Sequence, residues 1–194
     1  MKPKGTKSPT LYKYHGPGPL DIDLAAETAF RVEFARAFAN WQGVESELFQ
    51  IFQYLTCGKQ PGTTAAVYGT IITFKGKLQA TNAAAQFILP LKPALLEQWN
   101  KLKKQTEKCV LRRNQLAHFE IQYVFNKATN KHQPILFPHA KTTELDVTKT
   151  VDCKRIAYWS ASFLLLGSKL KAFNSDLRVS GILGAKTSPH AKSP

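Results

Sequence analysis

The sequence predicts a mainly α protein: a four-helix bundle with a short β-hairpin between helices 3 and 4, and flexible basic termini. Three observations predict it. Apolar and aromatic residues recur in steps of three, four and seven along four long stretches. Gly58, Pro61, Pro90 and Pro93 punctuate those stretches. Between the third and fourth, Phe119 to Phe137 turns to β-branched and aromatic residues on either side of a polar turn.

Residues 1–20 are rich in Lys, Pro and Gly and end in Gly16-Pro17-Gly18-Pro19, the composition of a flexible basic arm. Asp21 or Asp23 then offers an N-cap. The first helix carries Phe30, Phe34, Phe38, Trp41, Leu48, Ile51 and Leu55 on its apolar face and closes at Gly58. A second helix is expected over about 63–89, with Ile71, Phe74, Leu78, Ala85 and Ile88 inward. Gly69 and Gly76 weaken its propensity but permit a close neighbouring backbone. The third runs from about Ala94 to near His118, with Leu95, Trp99, Leu102, Thr106, Cys109 and Leu116 on one stripe. Phe119 to Phe125 and Pro134 to Phe137 read as hairpin strands around Asn126 to Lys131. The last helix starts near Thr148, its face marked by Ile156, Trp159, Phe163, Leu166, Leu170 and Phe173. The expected organisation is an arm over 1–20, a helical domain over 21–176 and a flexible tail over 177–194. Trp41, Trp99 and Trp159 fall on core stripes and read as core.

With 194 residues the chain suits one domain with tails. A folded part of roughly 150 residues buries about 68–70% of its unfolded surface, enough for a core without staples. The net charge of +14 favours an anionic partner, nucleic acid before a membrane surface. Lys2, Lys4, Lys7 and Lys13 stand unopposed in the arm, as do Arg178, Lys186 and Lys192 at the other end. Cys57, Cys109 and Cys153 match no metal spacing and read as reduced thiols. No apolar signal region opens the chain, and Phe163-Leu164-Leu165-Leu166 is far too short to span a bilayer. A cytoplasmic setting without membrane, metal or cofactor is expected.

Counting the third helix forward, 102, 106, 109, 113, 116, puts Arg113 on the buried seam. A guanidinium there is costly unless it is paired or faces a partner surface. His118 lies five residues on, about 140° around an ideal helix, whereas Asn114 shares its face. Arg113 and His118 could converge across a groove, or across a two-fold axis between subunits.

Arg113-Asn114, two intervening residues and Ala117-His118 resemble the R-x(4–6)-H motif of the HEPN superfamily. The layout is also similar, since HEPN domains are helical bundles with the motif on a late helix. The segment around Trp41, Val44, Glu45 and Leu48 looks like the family's first helix. The resemblance extends over about residues 21–176, with only the six-residue motif specific. It implies a metal-independent endoribonuclease acting as a homodimer, its products a 2′,3′-cyclic phosphate and a 5′-hydroxyl. His118 would move the proton of a ribose 2′-OH or of the leaving oxygen. Arg113 would neutralise charge on the phosphorane, and Asn114 would orient the histidine or hold a phosphate oxygen. Such proteins belong to defence, toxin or stress systems, with an antitoxin protein as a regulating partner. Two positions depart from the pattern: Glu120 stands where some relatives carry tyrosine, and Phe119 where others carry glycine.

Lys101, Lys103, Lys104, Lys108 and Arg112 precede the motif, opposed by Glu97 and Glu107. Lys104, Lys108 and Arg112 are the expected RNA-binding flank; a solvated helix face is the other reading. Tyr123 and Phe125 either stack on bases or pack the hairpin. Glu45 either contacts the arginine or lies on the surface, and His132 and His139 receive no role. The alternative to the enzyme is a non-catalytic helical interaction or nucleic-acid-binding module of the same fold.

Overall fold

The computed structural model describes residues 20–56, 61–138 and 150–182. Five α-helices and one antiparallel hairpin follow in order: α1 (Leu24–Leu55), α2 (Pro61–Gly69), α3 (Phe74–Ile88), α4 (Pro93–His118), β1 (Phe119–Asn126), β2 (Lys131–Pro138) and α5 (Cys153–Val179). A 3-10 turn over Leu89–Leu91 links α3 to α4. The protein is thus mainly helical with a small hairpin, but among the described residues five helices replace the four expected. The reason lies at Gly69 to Thr73. The β-branched run Thr70-Ile71-Ile72-Thr73 favours extended backbone over helix. Thr73 itself is extended, with φ −91° and ψ 140°, and its hydroxyl accepts from Gly76 N at 3.1 Å as the N-cap of α3. One expected helix therefore becomes two. A Cβ on Gly76 would meet Ile71 Cγ2 at 2.7 Å and Thr73 Oγ1 at 3.1 Å, so the glycine lets the capping turn close. Gly69 has open space instead.

The chain divides into two compact units, and α1, α4 and α5 each run through the division. The first holds 1–37 and 114–160. Here Asp23 caps α1, its carboxylate accepting from Ala26 N at 3.1 Å, a bond that also lowers its pKa. Asp21 does something else: its carbonyl accepts from His132 N at 2.8 Å, while Asp23 N donates to the His132 carbonyl at 3.0 Å. The hairpin pairs Phe119 with Pro138 through to Asn126 with Lys131. At its tip the Asn126 side chain accepts from Ala128 N at 2.9 Å, and Asn130 takes a positive φ of 55°, a conformation asparagine tolerates. Leu136 exchanges backbone hydrogen bonds with Val151, so Val151 pairs with β2 as a strand residue would. Asp152 then caps α5 by accepting from Arg155 N at 2.8 Å. This is why α5 begins at Cys153 rather than near Thr148, which lies outside the described residues.

The second unit holds 38–113 and 161–194. Trp41 of α1 sits between Phe74 of α3 at 4.6 Å and Phe163 of α5 at 5.2 Å, ring centre to ring centre. Trp99 of α4 packs on Phe173 of α5 and donates its indole N–H to Asn82 of α3 at 3.1 Å. Burying one large apolar side chain stabilises by roughly 1.5–3 kcal/mol, so these ring clusters anchor the unit. Tyr68 of α2 is buried and lies against Phe49 and Phe52 of α1. The expected stripe of α4 is buried at Trp99, Leu102, Thr106, Cys109 and Leu116, and that of α5 at all six positions. The last turn of α5 runs to Val179, past the expected boundary at 176, with Leu177 buried and Gly181 at a φ of +61° just beyond. Gly58, the expected end of the first helix, lies outside the described residues; α1 ends at Leu55.

Candidate functional site

α4 opens with Pro93 in its first turn and ends at His118, where the chain passes into β1 with no residue between. The aromatic and β-branched residues after His118 end the helix, with the histidine in its last turn.

Arg113 is half-buried, with its Nε removed from solvent, on the same seam as Thr106, Cys109 and Leu116. Asn114 and His118 are both exposed, one turn apart on the same side of the helix. On helical geometry Arg113 and His118 point about 140° apart. The helix therefore presents the amide and the imidazole together, and sets the guanidinium apart.

Upstream, Lys104 and Lys108 are exposed and Arg112 is half-buried. Glu97 and Glu107, the two acids of α4, are taken up by Lys101 at 2.6 Å and Lys103 at 2.7 Å. The Lys101 bond and charge hold the Glu97 carboxyl below its usual range. Both pairs join residues four apart, and neither engages Lys104 or Lys108.

Several side chains go elsewhere than to the site. The Tyr123 hydroxyl donates to Glu27 Oε1 at 3.0 Å, and the same oxygen accepts from Arg31 Nε at 2.5 Å. Burial, then the Glu27 bond, raises the Tyr123 pKa. Phe125 meets the His132 ring edge-on at 5.4 Å. Both aromatics thus have partners of their own in the first unit and remain half-buried. Glu45 neither contacts an arginine nor lies free on the surface: it accepts from the Trp41 indole at 2.6 Å. Trp41–Glu45 and Glu27–Arg31 are both four apart on a helix, a spacing that signals such pairs in sequence. Nothing local could have signalled Tyr123 to Glu27, which are 96 residues apart.

Burial raises the pKa of Cys109 and of half-buried Cys153, in the second case with help from Glu33 and Asp152. Among the described residues, no group of three His, Cys, Asp or Glu stands ready to hold a metal ion. No described helix is long and apolar enough to cross a membrane. Cys57 and His139 lie outside the described residues. Comparison with known proteins returned no match among family models, curated proteins or solved structures.

Proposed function

We propose that the chain is an RNA-cleaving protein of HEPN type, with its chemistry at Arg113, Asn114 and His118. The observation that carries this reading is the exposed Asn114–His118 pair at the end of a basic helix. An exposed imidazole can exchange a proton with a ribose 2′-hydroxyl near neutral pH. The 2′-oxygen then attacks the adjacent phosphorus, and the 5′-oxygen leaves with a proton, giving a 2′,3′-cyclic phosphate and a 5′-hydroxyl. A guanidinium can bond two phosphate oxygens as charge builds on them. Asn114 holds the imidazole or a phosphate oxygen. Lys104, Lys108 and Arg112 contact the RNA backbone, so binding weakens steeply with salt. Because Arg113 and His118 diverge on one helix, the reading has two copies of the chain supply them to one phosphate, and an antitoxin protein restrain them in the cell.

The partial burial of Arg113 favours a second reading, a non-catalytic nucleic-acid-binding module in which the arginine is structural. One assay separates the two. Labelled RNA is incubated in EDTA with the wild type, His118→Ala and Arg113→Ala. Cleavage by the wild type that is lost in both variants supports the enzyme. Absence of cleavage on every RNA, with binding unchanged in the variants, leaves the binding module.

A further inference from the structure

The hairpin has two unlike edges. In an antiparallel pair, successive residues turn their main-chain N–H and C=O alternately toward the partner strand and away from it. Leu136 gives both of its groups to Val151, and His132 gives both to Asp21 and Asp23, so the even-numbered residues of β2 face away from β1. The register sets Leu136 opposite Ile121, Pro134 opposite Tyr123 and His132 opposite Phe125. Ile121, Tyr123 and Phe125 therefore also turn their main-chain groups outward, at the far edge of β1. The outer edge of β2 is taken up by the chain itself, and Pro134 has no N–H to offer there. The edge of β1 is open: no described residue bonds the main-chain groups of Ile121, Tyr123 or Phe125.

Open edges invite pairing, and proteins commonly blunt them with lysine, proline or a bulge. β1 contains no lysine and no proline, and it meets β2 residue for residue without a bulge. Ile121, near its middle, is 37% exposed. The outward groups recur at every second residue, about 6.8 Å apart, donor and acceptor together. Another extended main chain matches that repeat. Phosphates answer the N–H groups but bring no donor for the carbonyls. Charge narrows the choice further. The chain carries +14, and Lys127 and Lys131 flank the turn at one end of the edge, so an acidic segment is drawn in and a second copy is repelled.

We propose that the free edge of β1 is a docking site for an extended, acidic segment of a partner protein, which adds a third strand along Ile121, Tyr123 and Phe125. Main-chain hydrogen bonds supply the hold, and the acidic side chains supply the selection.

The site stands on observations separate from those at Arg113 and His118, and it is read by amide exchange rather than by cleavage. The probe is an end-blocked ten-residue peptide of alternating glutamate and valine. In the free chain, the amides of Ile121, Tyr123 and Phe125 are expected to exchange at least about tenfold faster than those of Gln122 and Val124, which bond to β2. Peptide at 1 mM is expected to slow the three outward amides at least about tenfold. Ile121→Pro removes an N–H that points off the sheet, a place where an edge strand tolerates proline. It is expected to weaken peptide binding at least tenfold at a nearly unchanged melting temperature. The same peptide methylated on alternate backbone nitrogens keeps its charge, and the wild type is expected to bind it at least tenfold more weakly. That arm needs no variant to fold. Equal binding of plain and methylated peptide overturns the proposal, since charge alone then holds them. Outward amides already protected in the free chain overturn it, as does a failure of 1 mM peptide to protect them. Protection of the same amides by decauridylate overturns it too, and assigns the edge to RNA.

Discussion

Replacing Tyr68 with phenylalanine removes one oxygen and nothing else. The ring keeps its places 5.2 Å from Phe49 and 4.8 Å from Phe52, and the Lys77 ammonium stays 5.6 Å above it. The hydroxyl is buried without a hydrogen bond. Thr81 acts on it without reaching hydrogen-bond geometry, its own hydroxyl being donated to the Lys77 carbonyl at 2.9 Å. A buried polar group left unsatisfied costs about 1–3 kcal/mol, so Tyr68→Phe is expected to stabilise by about 1–2 kcal/mol at pH 7. For a chain of this length that raises Tm by roughly 2–8 °C. Alkali gives a second reading. Burial, partly offset by Thr81, pushes the Tyr68 pKa from 10.0 to about 12. Below pH 10 the tyrosine is protonated folded and unfolded. Between pH 10 and 12 only the unfolded chain gives up the proton, so stability falls with rising pH, by about 2–3 kcal/mol once past pH 12. The phenylalanine variant lacks this loss, and its advantage widens over that window. Urea titrations at pH 7 and across pH 9–12 measure both. Destabilisation by more than about 1 kcal/mol at pH 7 would refute the argument, since it would mean the hydroxyl is satisfied.

Gly76→Ala places a methyl 2.7 Å from Ile71 Cγ2 and 3.1 Å from the capping Thr73 hydroxyl. Thermal melts are expected to show a loss of about 1–2 kcal/mol despite alanine's better helix propensity, and relief when Ile71→Ala is added. Tyr123→Phe removes a donor from Glu27, whose other carboxylate oxygen is already buried without a hydrogen bond. A cost of about 1–2 kcal/mol in urea unfolding is expected, and no change would show the bond to be idle. Burial keeps the Cys109 thiol protonated above its usual pKa, so iodoacetamide at pH 8 should modify it at least about tenfold more slowly in the folded protein than in urea, as peptide mass analysis would show.

The elements with strong periodicity were legible before any coordinates. α4 was placed within one residue at its start, because proline, a continuous stripe and the switch to β-branched residues mark both its ends. The hairpin was legible for the same kind of reason: a polar turn between two runs of strand-forming residues. The α2–α3 break was not, because a helical period can be carried across four residues whose local preference is extended. Thr73 was the missed signal, a capping threonine three residues before Gly76. At the site, counting alone put Arg113 on the inner seam and paired Asn114 with His118. It could not reveal that Tyr123 is tied to Glu27, since that bond depends on how the hairpin folds back to α1.

The direct passage from α4 into β1 has a mechanical consequence for His118. A loop would absorb small movements of the hairpin. With none, the last helical peptide and the first strand peptide share one planar link, and the histidine's backbone answers to both. Whatever grips the hairpin thus holds a handle attached without slack to the backbone of His118.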